Sequence, residues 1–350
     1  MYFASDNWAG AHPQIAAALS EHAQGFAPAY GNSDLDARVA RKFCEIFERE
    51  VAVFFVGTGT AANALSLSLV NRSGGVAFAH REAHCIEDEC GAPEYFTGGG
   101  RLCPVDGPVG RMDPGELKSA IARYPAEFIH AGRPMAVTIT QATEIGTLYA
   151  LEEIEALAEI CRSNALPLHM DGARFANALV ALGTTPAEMT WKRGVDIVSF
   201  GGTKNGCWCA EAVVVLDSDK AEEMHFLRKR AAQLFSKSRF VAAQFDAYFT
   251  DDLWLASARH ANAMASKLAA LFEEAPGIRL AWRPQANEIF PIMARATAER
   301  LKEQGAVFYP WKVPHGFEAQ LGEDEMLCRF VTSFATTEEQ IAEFGGLLTA

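Results

Sequence analysis

Val51-Ala52-Val53-Phe54-Phe55-Val56-Gly57-Thr58-Gly59-Thr60-Ala61-Ala62-Asn63 runs from an unbroken apolar segment into a Gly/Thr turn and on into small helix formers. The apolar run predicts a strand buried on both faces and stopped by Gly57, and Ala61–Val70 predicts the helix that follows. The same alternation recurs down the chain. Val76–Ala79, Met135–Thr140, Pro167–Met170 (ending at Asp171), Val195–Phe200 and Ala212–Leu216 read as strands. Leu151–Ala165 reads as a helix with Leu151, Ile154, Leu157, Ile160 and Cys161 on one face, and Glu152, Glu153 and Glu155 near the N-terminus, where the helix dipole favours acids. Strands alternating with helices predict an α/β fold on a largely parallel sheet.

The pattern changes after Asp219. Lys220–Leu234 and Trp254–Glu274 predict long helices. In the tail, Ile278–Trp282, Glu288–Met293, Ala306–Tyr309 and Met326–Phe334 read as strands, and Ala296–Gln304 and Thr337–Leu348 as helices. The expected organisation is an N-terminal arm over 1–20, a large domain over 21–250 and a smaller α+β domain over 251–350.

A chain of 350 residues, 49% hydrophobic and 21% charged, is long enough to bury a large core without disulfides, which excludes disordered and fibrous classes. Its net charge of -13 argues against nucleic acid and anionic membrane as partners and favours small ligands or other proteins. No apolar run of about 18 residues predicts a membrane span, and Met1–Asp6 has no basic segment leading into an apolar one, so no export signal is expected. The eight cysteines are irregularly spaced and read as reduced cytoplasmic thiols. Cys207 and Cys209 match no redox or zinc spacing, and His84, Cys85 and Cys90 lack a second ligand pair, so no metal is expected.

Three features bear on chemistry. The Gly57–Asn63 turn offers glycines, hydroxyls and free first-turn amides to an anion, although a ligand-free strand-to-helix turn would look the same. It does not complete a dinucleotide fingerprint, because Asn63 and Ala64 stand where a third glycine is needed. Asp171, in His169-Met170-Asp171-Gly172-Ala173-Arg174, follows a strand and so lies at the sheet's carboxyl edge, or else caps a helix. Lys204, in Ser199-Phe200-Gly201-Gly202-Thr203-Lys204, stands in a Gly-rich turn after another strand, where a solvated loop lysine is the plainer reading. Together they are the three parts of a pyridoxal 5′-phosphate site: an anion cradle, an acid to keep the pyridine nitrogen protonated, and an amine to tether the aldehyde.

At these motifs the chain resembles the fold-type I pyridoxal phosphate enzymes, and within them the L-threonine aldolase group of β-eliminating lyases. Ser5-Asp6-Asn7, Tyr30-Gly31, Gly57–Asn63, His84, the Asp171 and Lys204 motifs and Arg329 all carry the likeness. The resemblance implies a large domain with a mostly parallel seven-stranded sheet flanked by helices, plus a smaller C-terminal α+β domain. It implies that Lys204 tethers the cofactor, Asp171 bonds its pyridine nitrogen and His84 stacks on its ring. Gly59, Thr60 and Ser199 or Thr203 would hold the phosphate, and Ser5, Arg174 and Arg329 the substrate carboxylate, with Arg174 also touching the cofactor. Tyr30 and the Ser236–Arg239 segment, with Lys237 as a point charge at the phosphate, would serve a neighbouring subunit, making a homodimer or a tetramer of two dimers.

Gln141-Ala142-Thr143-Glu144 departs from the family's Glu-Asn-Thr-His and puts Glu144 where a histidine is usual, while Cys207-Trp208-Cys209-Ala210 departs from Gly-Ala-Pro. The implied reaction is retro-aldol cleavage of a β-hydroxy-α-amino acid, threonine-like or phenylserine-like, to glycine and an aldehyde. His84 is the first candidate for the base and Glu144 the second. An aminotransferase or β-eliminating lyase on the same fold is the alternative, and a non-catalytic binding protein of that fold a more distant one.

Overall fold

The computed structural model describes residues 1–349. Seven strands, β1 (Ala52–Val56), β2 (Gly75–His80), β3 (Arg101–Val105), β4 (Arg133–Thr140), β5 (Leu168–Gly172), β6 (Ile197–Gly201) and β7 (Glu211–Val215), form one sheet in the order β1-β7-β6-β5-β4-β2-β3. β7 runs antiparallel to both β1 and β6, and the other neighbouring pairs are parallel. β2, β5, β6 and β7 are buried at every position, as expected of strands with helices on both faces. Helix Gly59–Leu69 is buried from Ala61 to Ser68. The Ser66 and Ser68 hydroxyls avoid an unpaired burial by donating to Ala62 O (2.7 Å) and Ala64 O (2.8 Å).

Five short strands, β8 (Arg279–Leu280), β9 (Glu288–Ile289), β10 (Pro291–Ala294), β11 (Tyr309–Pro310) and β12 (Glu325–Val331), make a second, antiparallel sheet. The run expected over Glu288–Met293 is thus two strands, split at Phe290 just before Pro291, which cannot donate to a ladder. Helix Leu253–Glu274 joins the two halves. Trp254 and Ala258 belong to the large core with Phe200, Phe245 and Phe249, whereas Met264, Leu268 and Phe272 belong to the core with Phe330 and Phe344.

The N-terminus is threaded into the second sheet. Phe3 N donates to Val307 O (2.8 Å), Val331 N donates to Phe3 O (2.8 Å), and the Phe3 ring is fully buried against Phe330 and Phe344. Ser5 and Asp6 are thereby carried to the rim of the large sheet. Among the described residues, no helix is long and apolar enough to cross a membrane.

Candidate active site

The carboxyl ends of the parallel strands are where open α/β sheets bind ligands. There, the turns after β1, β4, β5 and β6 meet the N-terminal segment and the β11–β12 region around a cavity of about 620 Å³. At one corner, Thr58 N-caps helix Gly59–Leu69, its Oγ1 accepting from Ala61 N (3.1 Å). Among the described residues, nothing bonds the amides of Gly59 and Thr60, so the helix start presents free donors. A Cβ at Gly57 would stand 2.8 Å from the tip of the Phe235 ring and force it to move, whereas one at Gly59 would meet nothing within 4 Å. Thr203 closes the corner. Ser199 does not reach it: the hydroxyl lies behind the cavity, 2.9 Å from His169 Nε2, while His169 Nδ1 meets Thr138 Oγ1 at 2.7 Å. Burial holds His169 down at about 4, hence neutral, so this pair locks β4, β5 and β6 together and is not part of the pocket.

Asp171 projects into the cavity from the end of β5. Its Oδ1 accepts from Ala173 N (2.9 Å) and its Oδ2 from Asn63 Nδ2 (2.7 Å). Asn63 Nδ2 also donates to Glu89 Oε1 (2.8 Å), which in turn accepts from His84 Nδ1 (2.9 Å). An acid–amide–acid–imidazole chain thus connects Asp171 to His84. The bond to Glu89 raises the His84 imidazole above its ordinary value despite burial, with Asp171 adding to the effect. On the other side, Glu144 Oε1 accepts from His84 N (2.7 Å) and Thr140 Oγ1 (2.9 Å). Burial, aided by the Asp171 charge, pushes Glu144 up to about 7.

Two arginines reach the cavity in different states. Arg174 is buried between two acids: Nε and Nη2 donate to Asp6 Oδ2 (2.7 Å) and Oδ1 (3.1 Å), and Nη1 stands 3.0 Å from Glu288 Oε2. Burial opposes ionisation of Asp6, but the Arg174 and Lys204 charges overcome it and hold the carboxyl below its usual range. Asp6 therefore takes one bidentate edge of Arg174, which braces the N-terminal segment against β5 while also lining the cavity where a substrate carboxylate was expected. Arg329 is freer. It lies over the Trp311 ring (4.1 Å to the centroid), donates from Nη2 to Ala4 O (3.3 Å) and stands 3.8 Å from Glu288 Oε1.

Lys204, Thr203, Asp171, His84, Glu144, Gly59, Thr60, Ser5, Arg174 and Arg329 share this one cavity. Tyr30 and Lys237 do not line it. Tyr30 N donates to Ser236 O (3.1 Å), its ring is half exposed, and the 236–239 segment beside it lies away from the pocket. Sequence reasoning missed Asn63 as a linker, and Glu89, Glu211 and Trp311 altogether. The His84-x4-Glu89 spacing and an acid opening the otherwise apolar run at 211–216 were the available signals. Free amides at a helix start, a buried carboxylate with a lone pair to spare on each oxygen, and an amine at the next strand end are the donor set of pyridoxal phosphate, and these residues fit it. Among the described residues, no group of three or more His, Cys, Asp or Glu is placed to hold a metal.

The sequence profile of the beta-eliminating lyase family matches residues 2–296. The low specificity L-threonine aldolase of Pseudomonas aeruginosa is 40% identical over 341 residues, covering 97% of this chain and 95% of the relative. That of a Pseudomonas sp. strain is 38% identical over 348 residues, covering 99% and 97%. The solved structure of Leishmania major threonine aldolase superposes with a TM-score of 0.91 at 30% identity, over 99% of this chain and 98% of that one. The protein has the fold of the fold-type I pyridoxal phosphate enzymes, and it belongs to the beta-eliminating lyase family.

Proposed function

We propose that the protein is a pyridoxal phosphate-dependent aldolase that cleaves L-threonine, L-allo-threonine and related β-hydroxy-α-amino acids to glycine and an aldehyde. The observation that carries this reading is the meeting, in one cavity, of Lys204, Asp171, the unpaired Gly59 and Thr60 amides, Arg329 and a carboxyl able to exchange a proton near neutrality.

Pyridoxal phosphate, when bound, supplies an electron sink for the bond that breaks. The chain does the rest. Lys204 provides the tethering amine, and the helix start with Thr203 binds the phosphate. Asp171, fixed by Asn63 and Ala173 N, presents a carboxylate to the pyridinium and favours its protonated form. His84 would cover the ring, its Nδ1 bonded to Glu89, which raises the imidazole above its ordinary value. With His84 Nδ1 committed to Glu89 and its protonated form favoured there, the task of accepting a proton from the β-hydroxyl falls to the Glu144 carboxyl, which exchanges one at about 7. Arg329, already pre-positioned on Trp311, binds the substrate carboxylate, with Ser5 beside it.

We read Tyr30 and Lys237 as parts of a neighbouring subunit's site, which makes the working unit a homo-oligomer. On the reading of its cysteines as reduced thiols, its place is the cytoplasm. The direct test incubates the enzyme and cofactor with a short panel of β-hydroxy amino acids. Glycine and the matching aldehyde should appear in equal amounts without any keto acid, and Lys204→Ala should abolish both. Turnover that requires a keto acid would make the enzyme an aminotransferase instead.

A further inference from the structure

β7 reverses direction and brings its first residue, Glu211, back beside the ends of β1 and β6, paired with Val56 and Gly201. This sets a carboxyl at the phosphate corner, next to the Gly57–Thr60 turn. Glu211 is 6% exposed, its Oε1 accepts from Thr203 N (3.2 Å), and it forms no ion pair among the described residues. The four residues after it are apolar and buried, so packing alone gives no reason for an acid there.

A phosphate monoester carries a charge of about −1.5 to −2 near neutrality. Beside it, an ionised carboxylate repels, whereas an un-ionised carboxyl offers one more hydrogen-bond donor. The surroundings favour the second state. Burial pushes Glu211 up to about 7, with the Thr203 bonds and Lys204 pulling it down and Asp171 pushing it further up. The other titratable groups facing it are the Cys207 and Cys209 thiols of the preceding loop and the Tyr248 phenol of helix Arg239–Phe249, all pushed up by burial and so neutral.

We infer that Glu211 binds the cofactor phosphate as an un-ionised acid, Oε1 accepting from Thr203 N and the O–H on the other oxygen donating to a phosphate oxygen, so that phosphate recognition requires a proton on Glu211. This rests on the reading that pyridoxal phosphate occupies the cavity with its phosphate at the Gly/Thr turn. Ordinary phosphate subsites supply only fixed donors and cations. Here, affinity for the phosphate should fall as pH rises past the point where Glu211 ionises.

The test titrates the apo-protein with pyridoxal 5′-phosphate and with pyridoxal, which lacks the phosphate, from about pH 6 to about pH 9, following the absorbance of the bound chromophore. The preference for the phosphorylated form should fall roughly tenfold per pH unit above about 7 in the wild type. Glu211→Gln, which keeps an N–H donor, should hold a pH-independent preference, and Glu211→Ala should lose about tenfold of it at pH 6. A flat wild-type preference, or a wild-type slope retained in Glu211→Gln, overturns the inference. If the variants fail to fold, the ³¹P signal of cofactor bound to wild-type enzyme decides: it should move over the same pH interval, and a fixed position overturns the inference. Failure of the wild type to bind pyridoxal phosphate at any pH would instead sink the functional reading, and the inference with it.

Discussion

Glu144 Oε1 accepts from the His84 backbone N–H at 2.7 Å, and the surroundings of both residues favour their protonated forms. Burial and the Asp171 charge keep a proton on Glu144 up to about 7, and Glu89 keeps one on His84 above its ordinary value. An acceptor of this kind works only once ionised. The kcat/KM for aldol cleavage should therefore rise with pH through about 7, and Glu144→Gln should remove that limb and lower kcat by about 10²- to 10⁴-fold. A pH-rate profile of both proteins checks this, and an unchanged limb in the variant would return the role to His84. Arg329 makes a separate prediction. Its guanidinium is held on Trp311 and is only weakly paired with Glu288, so it is available to a ligand. Arg329→Ala should raise KM for the amino acid about 10- to 100-fold and leave cofactor affinity nearly unchanged, as measured by steady-state kinetics beside a cofactor titration.

Among the elements, the N-terminal segment is tied in by the buried Asp6–Arg174 pair and the Phe3 strand contacts. Removing one partner of such a pair strands the other charge in the interior, so Asp6→Ala should cost about 3–5 kcal/mol of stability, read as a lowered denaturant midpoint with an unchanged slope. Asp6 is held below its ordinary value, so its contribution is present above the unfolded carboxyl's range and is lost as pH falls through the folded one. The elements also show what sequence could not tell. The β1, β2, β4, β5, β6 and β7 runs were legible because strands buried on both faces need unbroken apolar segments. β3 was not: it lies at the sheet edge, mixes exposed and buried positions, and carries Pro104, which interrupts the apolar run and which an edge strand tolerates. Residues 1–20 read as an arm, since no local signal shows that Phe3 will bond to Val307 and Val331.

At the scale of the molecule, the cavity is joint property of both sheets. The large sheet supplies the anion turn, the acid and the lysine from the ends of β1, β5 and β6, each within a short local stretch of sequence, so these were legible as motifs. The second sheet supplies Arg329 and Trp311, and helix Leu253–Glu274 holds the two cores in register. Glu89, Asn63 and Glu211 escaped sequence reasoning for a topological reason. Asn63 meets Asp171 from 108 residues away and Glu211 faces the site only across an antiparallel return, so although His84 is near Glu89 in sequence, nothing local shows that the hydrogen-bond chain ends on Asp171. Ser199 misled for the converse reason. It sits in the lysine motif, but strand alternation turns it toward His169 instead of the pocket. What the whole assembly implies is one covalent bond at one nitrogen. Reduction of the cofactor-loaded enzyme with borohydride, followed by peptide mass mapping, should leave a single pyridoxyl phosphate adduct, on Lys204. An adduct on another lysine, or none on a protein that still cleaves threonine, would contradict it.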